Sequence, residues 1–303
     1  FSPEHPQPTG ALHSDVNWGK FESGLCPRRR NAVVGPARKM RRANICLFLG
    51  LIHFAAVARA QTPPLDAPEA NPGRPSVSTP ATLTPTGYLQ FETGAIGATH
   101  SGEFSSAFGL TETIKFSPVH RLELLASAQP LQHSTVDGIA ANQSSDVFLG
   151  AQGVVYPGEG PKPTIAVSYF RRVYSGPAPN FDLGSPANSL LVLVSADVKG
   201  FHYDANVMLN ELVQDPVRRA QYGQSISISH GLPGKFSVTG EIWRFTQPFL
   251  RGNALGNLWA VGYNARKTLV LDAGFNGGLT ATSTRWEFVA GFTYLLPYTL
   301  VGK

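Results

Sequence analysis

Nine charged residues recur at the same parity of short β-type segments: Glu92, Arg121, Glu123, Arg172, Asp204, Glu241, Asp272, Arg285 and Glu287. In the stretch 284–296, for example, Arg285 and Glu287 alternate with Trp286, Phe288, Ala290, Phe292 and Tyr294. Successive side chains of a strand point to opposite faces, so such a set gathers on the face that the apolar residues leave. Two kinds of chemistry suit it. One is a cross-strand network of salt bridges and hydrogen bonds that fills and stiffens a narrow interior; the other is a charged lining that selects or steers a solute. Proton-transfer and nucleophilic chemistry find less support. Residues 61–303 contain no P-loop, no G-x-S-x-G elbow, no H-E-x-x-H and no C-x-x-C, and His100, His120, His133, His202 and His230 are scattered singly. A hydrolase would need Ser, His and an acid or amide brought onto one wall, so no enzyme, metal site or cofactor is expected.

The elements that must position these charges are strands. Beyond Gly87 the chain has period two, is rich in Val, Ile, Leu, Phe, Tyr and Thr, and is punctuated by Gly, Pro, Asn and Asp. Twelve strands are predicted, at 87–96, 107–116, 120–129, 145–156, 163–173, 188–197, 200–210, 219–229, 235–246, 256–265, 268–276 and 284–296. Glu112 and Arg171 fall on the apolar parity of their segments, and 256–265 has no clean face. The links alternate between tight ones (117–119, 157–162, 198–199, 230–234, 266–267) and longer ones (97–106, 130–144, 174–187, 211–218, 247–255, 277–283). Short turns on one side, long loops on the other and an even strand count are the pattern of an outer-membrane barrel. Strands near ten residues are long enough to cross the hydrocarbon when tilted, and closure removes edges that lipid cannot satisfy.

The expected fold is therefore all-β, a transmembrane antiparallel β-barrel of about twelve strands, apolar outside and charged inside. Trp259 and Trp286 are expected in an interfacial girdle at the long-loop end, and Tyr156 and Tyr294 at the other, whereas Trp243 points inward by parity. A soluble secreted sandwich is the alternative, and it would bury the Trp286 face in a core. Twelve strands fall between filled eight-stranded barrels and the open 16-stranded ones, so a constricted pore is expected, with loops 174–187 and 247–255 able to fold over its mouth.

Upstream, Met40 to Ala60 carries Arg41 and Arg42, an apolar run and an Ala58-x-Ala60 end, which reads as a secretory signal. Residues 1–39 precede it and are read as an upstream extension. Residues 1–60 hold nine of the 25 Lys and Arg and three of the 20 Asp and Glu, leaving 16 bases and 17 acids downstream. That balance excludes a basic nucleic-acid footprint on residues 61–303. Both cysteines, Cys26 and Cys46, lie upstream too, so no disulfide is expected beyond residue 60. Residues 61–86 contain seven prolines in 26 positions and are expected to be an extended or disordered linker, with structure starting at Gly87.

The stretch GYLQFETGAIGA from Gly87, RLELLASAQP from Arg121, FLGAQGVVYPGEGPKPTIAVSYF from Phe148 and TRWEFVAGFTYLLP from Thr284 resembles the outer-membrane family named for the meta-pathway of phenol degradation, in its acidobacterial form. The likeness spans about Gly87 to Pro297. It implies a transporter-like barrel in the bacterial outer membrane that takes up small, aromatic compounds, with no catalytic residue. The expectation is a passive channel whose partners are membrane lipid, a small-molecule solute and the outer-membrane assembly machinery. A barrel that binds or serves structurally without conducting is the alternative.

Overall fold

A computed structural model describes residues 68–300, apart from 180, 182, 183 and 251. The extension at 1–39, the signal at 40–60 and the first part of the linker lie outside the described residues. Thirteen strands follow one another: β1 (Leu89–Thr99), β2 (Ser106–Val119), β3 (Leu122–Val136), β4 (Ile139–Gln143), β5 (Val147–Tyr156), β6 (Thr164–Tyr174), β7 (Pro186–Val198), β8 (Phe201–Gln214), β9 (Val217–Gly231), β10 (Phe236–Gln247), β11 (Gly252–Arg266), β12 (Leu269–Gly278) and β13 (Trp286–Leu295). Every pairing is antiparallel, and β1 joins β13 from Gln90↔Leu295 to Thr99↔Trp286, which closes the ring. β4 pairs with β3 alone, so twelve strands make the wall and β4 forms a short arm on one hairpin. Among the described residues there is no α-helix.

The wall strands run for 10 to 15 residues, enough to cross a bilayer at the usual tilt. Several extend further than the sequence suggested on the long-loop side. The β8–β9 link shrinks to Asp215 and Pro216, and β11 starts at Gly252. β3 continues past Pro130, where a register shift between Leu110 and Glu112 of β2 leaves that residue outside the ladder. A bulge accommodates a proline that has no N–H to donate. β11 does have a clean face: Trp259 and Val261 are exposed while Ala254, Leu258 and Ala260 are buried.

The two faces invert the rule of soluble proteins. Trp286, Phe288 and Phe292 are 42%, 61% and 38% exposed, as are many large apolar side chains around the ring, whereas Gln90, Gln132, Gln152 and Gln221 are fully buried. A sandwich would hide the first set and expose the second, so the sandwich alternative fails. Water could not solvate this surface without a large penalty; hydrocarbon can. Glu112 stays on the outer face, taking a hydrogen bond of 2.6 Å from Thr93 Oγ1, and Arg171 is exposed at the long-loop end of β6.

The interior is not uniformly polar. Leu191, Leu193, Met208, Trp243, Phe245 and Ala254 form an apolar cluster on the inner wall of β7 to β11, with Phe170 and Val154 against it. The larger departure concerns the Pro-rich segment. Residues 70–86 are not a free linker but a loop inside the barrel: Ala70 N–H bonds Lys267 O at the short-turn end, and Gly87 N–H bonds Ser117 O on the return. In between, Ser78, Ala81 and Thr84 are almost fully buried.

Candidate functional site

Fitting a Pro-rich chain into a lumen is a hydrogen-bond problem, since each buried N–H without a partner costs about 1–3 kcal/mol. Pro72, Pro75, Pro80 and Pro85 remove four donors. The wall supplies acceptors for seven others: Asn71 to Gln90 Oε1 (2.8 Å), Gly73 to Glu92 Oε1 (2.9 Å), Val77 and Ser78 to Glu241 (2.8 and 2.6 Å), Thr79 to Asn206 Oδ1 (2.6 Å), Ala81 to Ser195 Oγ (2.7 Å) and Thr84 to Glu123 Oε2 (2.7 Å). The amides answer in kind, because Gln90, Gln152 and Asn206 donate to the carbonyls of Asn71, Pro80 and Thr79. With Thr111, Ser225 and Asp272 included, these partners come from nine of the twelve wall strands. The loop must lie within the ring.

Glu241 is its principal anchor. One carboxylate accepts from the Val77 and Ser78 amides and from the Ser76 and Ser78 hydroxyls, the last two at 2.8 and 2.6 Å. Val77 packs on the apolar cluster and Ala81 belongs to it. Asn71 Nδ2 donates to Thr82 O at 3.0 Å, which clasps the two limbs together. A cavity of about 750 Å³ remains beside the loop, walled by Asp204, His202 and Asp272 and reaching Lys235, Arg266 and Lys267 near the short turns.

The far mouth is narrowed as well. In the β6–β7 connection Gly176 N–H bonds Asp146 Oδ1 (2.9 Å), Gln132 Nε2 donates to Pro179 O (2.9 Å), and Phe181 meets the Phe104 ring edge-on at 5.3 Å. Arg172 holds the base of this connection through Ser185 O (2.9 Å) and Asp146 (3.4 Å). The other loop expected to fold over the mouth, 247–255, is mostly strand.

Of the nine charged residues singled out in the sequence, Glu92, Glu123, Asp204, Glu241, Asp272 and Glu287 are buried on the inner wall and Arg172 faces inward at its rim. Arg121 and Arg285 are not on the wall. β3 begins at Leu122 and β13 at Trp286, so both arginines fall in connections and are exposed; Arg285 lies 5.5 Å from the Trp286 ring. Trp286 and Tyr156 are exposed at opposite ends of their strands, and Tyr294 is half-buried near the short-turn end of β13. Trp259 needs correction, because with β11 starting at Gly252 it stands halfway along the strand. Trp243 points inward and donates to Asn276 Oδ1 at 2.8 Å.

Sequence reasoning missed Lys115, which pairs with Glu92 at 2.6 Å, and the loop residues Arg74 and Ser78. The signal was an imbalance. Six carboxylates on the inner wall face Lys115 and His202, with Asp146 and Arg172 paired at the rim, and acids in such excess require neutral donors.

Closed, apolar without and polar within, this ring of membrane-length strands is a transmembrane β-barrel of the outer-membrane type. One solved structure agrees in fold. The chain is similar to an outer membrane channel from Pseudomonas putida F1, with a TM-score of 0.54 at 11% identity over 75% of this chain and 100% of that one. The NanC and KdgM porins give TM-scores of 0.47 and 0.46 at 10% identity, over 68% of this chain and 98% of theirs. At such identities the likeness concerns the fold. No family profile matches the chain, and no curated protein matches it in sequence.

Proposed function

We propose that the protein is a passive outer-membrane channel for small solutes, held closed in this state by its own N-terminal loop. The observation that carries the reading is the loop's placement: residues 71–84 occupy the lumen through side-chain contacts alone and add no strand to the wall. The resemblance to the phenol meta-pathway family supports aromatic solutes among those that pass, and the inner Trp243 and Phe245 supply surface for them. Export through the signal at 40–60 and insertion by the outer-membrane assembly machinery complete this reading. The likeness to the Pseudomonas putida channel supports the barrel it requires.

A reversible lock tests the proposal. Ser78 Oγ and Ser225 Oγ are 2.9 Å apart, so Ser78→Cys with Ser225→Cys, in full-length protein carrying Cys26→Ser and Cys46→Ser, should staple the loop to β9. In planar bilayers the oxidised protein should be silent and the reduced protein should show discrete conductance steps. Folded, inserted protein that stays silent in both states would leave a binding or structural barrel.

A further inference from the structure

Arg74 sits in a seat shaped for its guanidinium. Nη1 donates to Thr111 Oγ1 at 2.9 Å on β2, and Nη2 lies 3.4 Å from Asp272 Oδ1 on β12. The floor is glycine: a Cβ at Gly94 or Gly291 would come within 2.1 or 2.8 Å of Nη2. The side chains of Arg74 and Asp272 are 14% and 3% exposed, so this is an internal site. Its hydrogen bonding is incomplete, because the buried Asp272 Oδ2 has no partner among the described residues. A second cation stands close by: Lys115 Nζ, 2.6 Å from Glu92, would come within 2.8 Å of a Cβ on Gly73. Yet Arg74 does not belong to the wall. It arrives on the loop that closes the lumen, and it leaves when the loop leaves.

We propose that the Arg74 seat is a cation-binding subsite, occupied in the closed state by the protein's own guanidinium and filled in the open state by the guanidinium or ammonium group of a solute. Asp272 supplies the charge, Thr111 an acceptor, and the two glycines a slot for a flat group. The guanidinium meets the carboxylate through Nη2 alone and leaves Nε and Asp272 Oδ2 unpaired among the described residues, so a smaller, freely oriented cation has room to settle closer to the carboxylate. The carboxylates of the middle wall extend the preference beyond the seat, while Lys235, Arg266 and Lys267 line the short-turn end, so the constriction at the seat favours cations over anions once the loop is out. This selectivity rests on the channel reading; the binding site does not.

The test uses full-length Arg74→Ala, which vacates the seat, after heat-modifiable migration has shown that it is folded. Titration calorimetry with methylguanidinium should show binding to Arg74→Ala and none to the unaltered protein. Adding Asp272→Asn, or filling the slot with Gly94→Ala, should weaken it by about tenfold or more. Arg74→Ala binding no better than the unaltered protein, or binding untouched by Asp272→Asn, would overturn the subsite. In a potassium chloride gradient the reversal potential of Arg74→Ala should report potassium preference, and chloride preference would overturn the selectivity. If every variant is silent in the bilayer the channel reading falls, while the calorimetry still decides on the seat.

Discussion

Glu241 shows how one side chain organises a segment that has no structure of its own. Its carboxylate takes four donors from Ser76, Val77 and Ser78, and hydrogen bonds to a charged group contribute about 1.5–3 kcal/mol each. Glu241→Ala should therefore loosen the loop and leave the wall intact. Hydrogen exchange of the Val77 and Ser78 amides should accelerate by about ten- to a hundredfold, while β9 and β10 amides keep their protection; equal acceleration in both would mean that Glu241 supports the wall instead. The inward direction of Glu241 was legible from parity alone. Its partner was not, because the contact joins residues 163 apart, and no local pattern encodes a bond of that span.

At the level of elements, the dyad together with the turn residues and link lengths placed every wall strand, including 256–265, whose faces alternation alone left unresolved. What it could not supply were the strand ends. Residues 211–218 read as a link, yet β8 runs to Gln214 because cross-strand bonds such as Arg218 to Glu211 (2.7 Å) pair polar side chains beyond the apolar belt. Trp259 was misplaced for the same reason, and its true depth is testable. Arg on the lipid face costs about 2–4 kcal/mol at the bilayer midplane and about 0–1 at the interface. Trp259→Arg should cost the larger amount in a urea titration of liposome-folded protein. Trp286→Arg, near the strand end, should cost the smaller one.

The whole molecule is a ladder closed on itself, with an apolar exterior that only lipid or detergent satisfies. Unboiled protein should migrate differently from boiled protein on a gel, and dilution out of detergent should precipitate it; indifference to both would contradict the barrel in membrane. Closure also separates two stabilities. The β1–β13 seam and its neighbours use backbone bonds, while residues 71–84 of the loop are held through side chains, with a backbone bond to the wall at Ala70.

The clasp between Asn71 and Thr82 and the covalent junction into β1 tether both limbs of the loop at one mouth. A tethered segment competes for its seat at an effective concentration on the order of millimolar for a short flexible connection. On the channel reading, a solute that takes the Arg74 seat competes with a segment that never diffuses away, so openings should be brief and infrequent in dilute surroundings and lengthen as that solute approaches the concentration set by the tether.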